Sequence, residues 1–262
     1  MTNAFLAILA TATLGQTAKV DERLDLMKAK AAEYRFERDG GRKSALKLQA
    51  EPAFRMGKQP ADDIEEGAIF FWLDDTGRPE AAVQIFLIKN SNDPLGLWIH
   101  EFISLSPEAL AGTRGGVTSW SPRKPGLEFH PLPGAPRPSA TVSQRGRQMR
   151  ALAQQFHASD KFKEKTWADL RLLPTPIARF GKEGTTLIDG SLFTFVMGTD
   201  PEAFLFIEAR PGNDGPEWHY AFAPMTCYDL KGTLAGKNVW DLPYRRINKD
   251  PALPYFIRTE KP

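Results

Sequence analysis

Residues 190–210 read GSLFTFVMGTDPEAFLFIEAR: a glycine, an apolar burst, a polar turn closing on Pro-Glu-Ala, and a second apolar burst. Residues 67–86, GAIFFWLDDTGRPEAAVQIF, carry the same order. Aromatic and β-branched runs split by Asp74-Asp75-Thr76-Gly77 or by Gly198-Thr199-Asp200-Pro201 predict antiparallel strands joined by compact turns. Phe102, Ser104 and Ser106 alternate with Ile103, Leu105 and Pro107, which predicts a strand with one wet face. Gly115-Gly116 and Ala235-Gly236 predict tight turns between two further strands. Ahead of these runs, Ala, Leu, Met and an aromatic recur at helical spacing, predicting helices from Arg23 to Arg38 and from Arg145 to His157.

The two hairpins belong to a longer duplication. MKAKAAEY (27–34) matches MRALAQQF (149–156), and LKLQAEPAFRMGK (46–58) matches LRLLPTPIARFGK (170–182). In WIHEFISLSPEALAGTRGGVTSW (98–120), Trp98, Phe102, Leu110, Gly112 and Trp120 recur as Trp218, Phe222, Leu230, Gly232 and Trp240. These blocks predict an α+β fold of two tandem repeats, 21–120 and 143–245, related by a pseudo-twofold. Each would be one helix packed on an antiparallel sheet of about five strands, the helix covering the apolar face. Between them, 121–142 is a Pro-rich linker that cannot be a helix or a central strand. A tail over 246–262 echoes the linker.

GRPEAAVQIF, WIHEFISLS, SWSPRKPGLEFHPLPGAP, RQMRALAQQF and GSLFTFVMGTDPEAFLFIEAR resemble a family of uncharacterised exported bacterial proteins of planctomycete type. The resemblance spans nearly the whole chain after its first residues. It implies export and brings no activity and no catalytic residues. IARF at 177–180 departs from the more aromatic Leu-Tyr-Arg-Tyr-like version expected there.

Residues 1–15 are a candidate signal peptide: Ala4 to Leu14 form a short apolar run, and Thr13-x-Gly15 is a plausible cleavage site, with Ala12 and Ala18 as alternatives. No Lys or Arg precedes the run. The expected location is therefore periplasmic or extracellular, with no transmembrane segment once the signal is removed. Lys+Arg 34 against Asp+Glu 32 leaves a formal charge of +2, so no strong field points to nucleic acid. The single Cys227 rules out an intramolecular disulfide.

Chemistry is sparse. His100, His130, His157 and His219 show no metal-ligand spacing, so neither a metal nor a cofactor is expected. There is no Gly-x-Ser-x-Gly, and the GTRGG and GTLAG loops lack the helix and Lys-Ser/Thr of a phosphate cradle. Charges matched between the repeats are Arg55/Arg179, Lys58/Lys182 and Glu80/Glu202, with Lys47 against Arg171. Glu80 and Glu202 follow a Pro in a hairpin turn, which suggests a local role. Arg55 and Arg179 are either struts to an acid of their own unit or two walls of an anion-binding groove. The reading reached is a non-catalytic exported module of the cell envelope that binds or scaffolds an unidentified ligand or protein. The alternative is an exported hydrolase with its site in one repeat, drawing on His100, Glu101, Cys227 and His219.

Overall fold

A computed structural model describes residues 22–39, 44–59, 63–90, 93–162, 166–182, 184–245 and 250–261; the candidate signal over 1–15 lies outside them. The first half opens with a helix, α1, over 22–32. It continues through β1 (Tyr34–Arg38), β2 (Ser44–Ala45), β3 (Lys47–Leu48), β4 (Phe54–Met56), β5 (Ile64–Leu73), β6 (Pro79–Asn90), β7 (Asp93–Ser104), β8 (Leu110–Arg114) and β9 (Val117–Trp120). After β10 (His130–Pro131), the second half runs through α2 (Val142–Ala153), β11 (Phe156–Asp160), β12 (Ala168–Asp169), β13 (Arg171–Leu172) and β14 (Ala178–Phe180). It ends with β15 (Asp189–Met197), β16 (Asp200–Gly212), β17 (Gly215–Pro224), β18 (Leu230–Leu234), β19 (Lys237–Leu242) and β20 (Tyr255–Glu260).

These strands form four antiparallel sheets in the order β2-β1-β8-β9, β20-β7-β6-β5-β3, β10-β17-β16-β15-β13 and β12-β11-β18-β19, with β4 and β14 as extra partners of β5 and β15. The expectation of an α+β fold, each repeat a helix on a five-stranded sheet, is overturned. Of the described residues 53% are in strands against 11% in helices, and the four small sheets are arranged as a four-bladed β-propeller.

The reason lies in the strands themselves. β5 and β15 are buried along almost their whole length, on both faces. A strand buried on both faces reads as a continuous apolar run and needs a cover on each side. One three-turn helix cannot supply both. The second face of β5, Ile69 and Phe71, is covered by the other half through Leu192, Phe204 and Phe206, while the helix face, Ala68, Phe70 and Trp72, is covered by Met27 and Ala31 together with the residues that follow the helix. The helices stop at 32 and at Ala153 instead of reaching Arg38 and His157. Tyr34 and Phe36 then point inward while Arg35 points out, a period of two that makes β1 a strand. Ser104 and Ser106 do not line a wet face; both are buried, Ser104 at the end of a strand whose sheet is covered on both sides and Ser106 just beyond it.

Three apolar cores follow. Tyr34, Phe36, Trp72, Phe102, Trp120 and Phe256 fill one, with Phe36 edge-on to Trp72 at 4.6 Å between centroids. Phe156, Phe193, Phe195, Trp218 and Phe222 fill its counterpart in the second half. A third joins the halves, where Phe71 meets Phe204 at 6.0 Å.

Two strands are exchanged. β10, between the halves, pairs with β17 of the second. β20, at the end of the chain, pairs with β7 of the first over six residues. The prolines of the first crossing are tolerated because β10 is an edge strand.

Candidate functional site

The Asp74 turn is built by its own side chain. Oδ1 accepts from the Thr76 amide (2.8 Å), the Thr76 hydroxyl (2.7 Å) and the Arg78 amide (3.0 Å). That turn delivers Arg78 into the interior, where it is 4% exposed. Its Nη1 donates to Glu80 Oε1 (2.7 Å) and to the Leu105 carbonyl (2.9 Å), and its Nε donates to Glu208 Oε1 (2.8 Å) in the other half. Arg38 adds bonds to Glu80 (2.6 Å) and Asp74 (2.7 Å), and Arg210 reaches Glu208 at 2.6 Å. The Arg78 guanidinium also lies 5.0 Å from the Phe206 ring centre and 5.4 Å from that of Phe129. Three guanidiniums thus meet three carboxylates in a closed cluster.

The second half repeats this backbone with opposite charges. Leu105 N–H bonds the Glu80 carbonyl at 2.9 Å, and Met225 N–H bonds the Glu202 carbonyl at 2.8 Å. Arg38 faces Leu110 across β1 and β8, and Asp160 faces Leu230 across β11 and β18. So Glu202 occupies the place of Glu80, Asp200 that of Arg78, and Asp160 that of Arg38. Counted from the shared Pro-Glu-Ala, Gln84 stands where the second half has Phe206, and Phe86 where it has Glu208. Where the first cluster is closed, this one opens into a cavity of about 270 Å³ with apolar walls including Phe86, Ile99 and Ile257.

Glu101 and Glu202 line that cavity and are 8% and 3% exposed. Burial pushes the Glu101 carboxyl up to about 8; the Tyr255 hydroxyl, donating at 2.8 Å, and Arg245 work against the rise. Burial likewise holds Glu202 well above the usual carboxylate range, with Asp200, Asp160 and Glu101 adding to it and a hydrogen bond from Thr226 opposing it. Neither Glu101 nor Glu202 has an ion pair among the described residues. Gln84, 2% exposed, donates through Nε2 to Met56 Sδ (3.0 Å) and Asp200 Oδ1 (3.2 Å), leaving its Oε1 acceptor without a partner. Such a site presents hydrogen-bond donors while its carboxyls are protonated and accepts positive charge once they ionise.

The shift has a readable sign. A folded-state value of about 8, against about 4.5 unfolded, favours the folded chain fully below pH 4.5, and this contribution is lost as pH rises through about 8. We expect the melting temperature of wild type, relative to that of Glu101→Gln, to fall steadily between pH 4.5 and pH 8. A flat difference across that window would mean that Glu101 is ionised in the folded protein.

The sequence-predicted residues divide. Glu101 and Cys227 both line the cavity. Burial pushes the Cys227 thiol up to about 11, so it is held in its unreactive form. His100 lies in the core of the first half, its Nδ1 2.9 Å from the Tyr34 hydroxyl; burial lowers it to about 4. His219 pairs with Glu217 at 2.9 Å. Neither histidine lines the cavity. Arg179 sits over Asp189 of its own half, Nη2 to Oδ2 at 2.9 Å, and the same carboxylate holds the buried Arg145 of α2 at 2.8 Å. In the first half Glu66 is the corresponding acid: Arg23 of α1 lies 3.6 Å from it, and Arg55 acts on it through its charge. Arg179 thus ties α2, through the Val142 carbonyl, to Asp189 of its own half, and Arg55 lies near Glu66 of its own half.

Arg78 and Gln84 are missing from the sequence reading, and Asp200 and Glu202 appear in it only as turn residues. A signal was present: two matched positions reverse charge together, Arg38 to Asp160 and Arg78 to Asp200, around a glutamate that does not change. Among the described residues no group of three or more His, Cys, Asp or Glu is disposed to hold a metal ion, and no helix is long and apolar enough to cross a membrane. No family model, curated protein or solved structure matches the chain.

Proposed function

We propose that this chain is a non-catalytic exported binding module of the envelope, whose ligand enters the cavity beside Glu101 and Glu202. The observation that supports the reading is the difference between the two mated clusters. One is plugged by Arg78; the other, on the same backbone, leaves a cavity walled by apolar side chains with a few convergent polar groups. Its volume suits a ligand of about ten heavy atoms, at roughly 30 Å³ each. The hydrolase reading is less well supported, because neither candidate histidine lines the cavity that holds Cys227 and Glu101.

A fragment screen by ligand-observed NMR, run on wild type and on Cys227→Trp, tests the proposal. Trp at 227 would fill the cavity from its lining. Hits that disappear in Cys227→Trp are expected. Hits that persist unchanged in the variant, or none at millimolar concentration, would reject this cavity as the binding site. Turnover of ester or glycoside substrates that stops in Glu101→Gln would instead establish the hydrolase.

A further inference from the structure

Building on that reading, we infer that the cavity receives a cation, a primary ammonium or guanidinium carried on a short apolar body, held by Glu202 and Glu101 with Gln84 Oε1 accepting a further hydrogen bond.

The protein contains its own template for this complex. In the closed cluster a guanidinium lies against Glu80, the counterpart of Glu202, and its flat faces meet apolar rings. In the open cluster the corresponding backbone carries Asp200, so the chain provides no guanidinium at that place. Two carboxyls that are nearly inaccessible to solvent have no ion pair there among the described residues. Buried carboxyls are costly unless paired or protonated, so a ligand cation supplies what the fold withholds. Gln84 independently specifies a donor. Both of its N–H groups are used, by Met56 and Asp200, and only an acceptor is left over. An anionic ligand would meet the Gln84 carbonyl oxygen, an acceptor in every state, and two carboxyls that repel it once they ionise. The surrounding walls are mostly apolar, with Ile64, Phe86, Ile99, Met225 and Ile257 among them, which favours an apolar body for the rest of the ligand.

Calorimetric titration with hexylammonium, hexylguanidinium and 1-hexanol separates charge from apolar fit. Three proteins are needed: wild type, Glu202→Gln, and Asp200→Arg, which places the first half's plug into the second. The cations are expected to bind wild type roughly ten- to a hundredfold more tightly than hexanol, the range of one hydrogen bond to a charged group. Glu202→Gln should lose that margin, and Asp200→Arg should lose binding of the cations while keeping a cooperative melt. Hexanol binding as tightly as the cations would overturn the cationic ligand while leaving a binding cavity. Undiminished cation binding in Glu202→Gln would overturn it too. Failure of all three probes to bind wild type would remove both this inference and the binding reading beneath it.

Discussion

A chain ending at Arg245 is expected to lose cooperative folding. The residues removed include β20, whose Tyr255, Phe256 and Ile257 are 4%, 8% and 8% exposed. Burying each contributes about 1.5–3 kcal/mol, so the three together supply roughly 5–9 kcal/mol. That is comparable to the whole stability of an ordinary domain, about 5–15 kcal/mol. The loss goes beyond area. β20 closes the edge of the β5–β7 sheet along six residue pairs, Glu260 ties Arg114 and Lys30 to it, and the Trp120 indole donates to the Leu253 carbonyl at 2.9 Å. Phe256→Ala isolates the packing part: it should lower stability by about 3–5 kcal/mol while the strand remains. Urea denaturation followed by circular dichroism measures both. A truncated chain that still melts in one sharp transition near the wild-type temperature would show that the sheet closes without its last strand.

Arg78→Ala is expected to destabilise the protein by about 3–5 kcal/mol, the cost of leaving buried carboxylates unpaired. Glu80 is fully buried and Glu208 equally so, and Arg78 touches both. Arg38 and Arg210 remain, so the loss falls short of complete unfolding. The informative comparison is Glu202→Gln on the mated site. There the carboxyl is already driven towards its neutral form by burial, and an amide should leave stability unchanged or raise it. Opposite outcomes in the two clusters would show that one serves the fold and the other does not. Equal losses would show that both are structural.

How much of this could be read from residues alone differs by level. The β5–β6 and β15–β16 hairpins stand out because apolar bursts flank polar turns with Pro-Glu-Ala. The partition into four sheets does not. YRFER and FHASD follow directly on helical patterns, and five residues with a period of two are easily absorbed into a helix of period 3.6. The decisive information was tertiary: β1 pairs with β8 some seventy residues later, and nothing local announces it. The site shows the same division. Glu101 and Cys227 attracted attention as reactive types, and both line the cavity. Glu202 looked like a turn residue because its hairpin is obvious, while its burial depends on Asp160 and Met225 arriving from elsewhere.

The exchanged strands have a consequence for synthesis. A ribosome adds residues in order, so the first half emerges complete except for the strand that seals it, which follows more than a hundred residues later. Until Tyr255–Glu260 is released, the β7 edge offers a row of unsatisfied backbone groups. Contacts spanning about 150 residues form slowly and late. Maturation of the first half therefore waits for Tyr255–Glu260 to emerge, and a nascent chain that stops short of Tyr255 remains unsealed however long it waits.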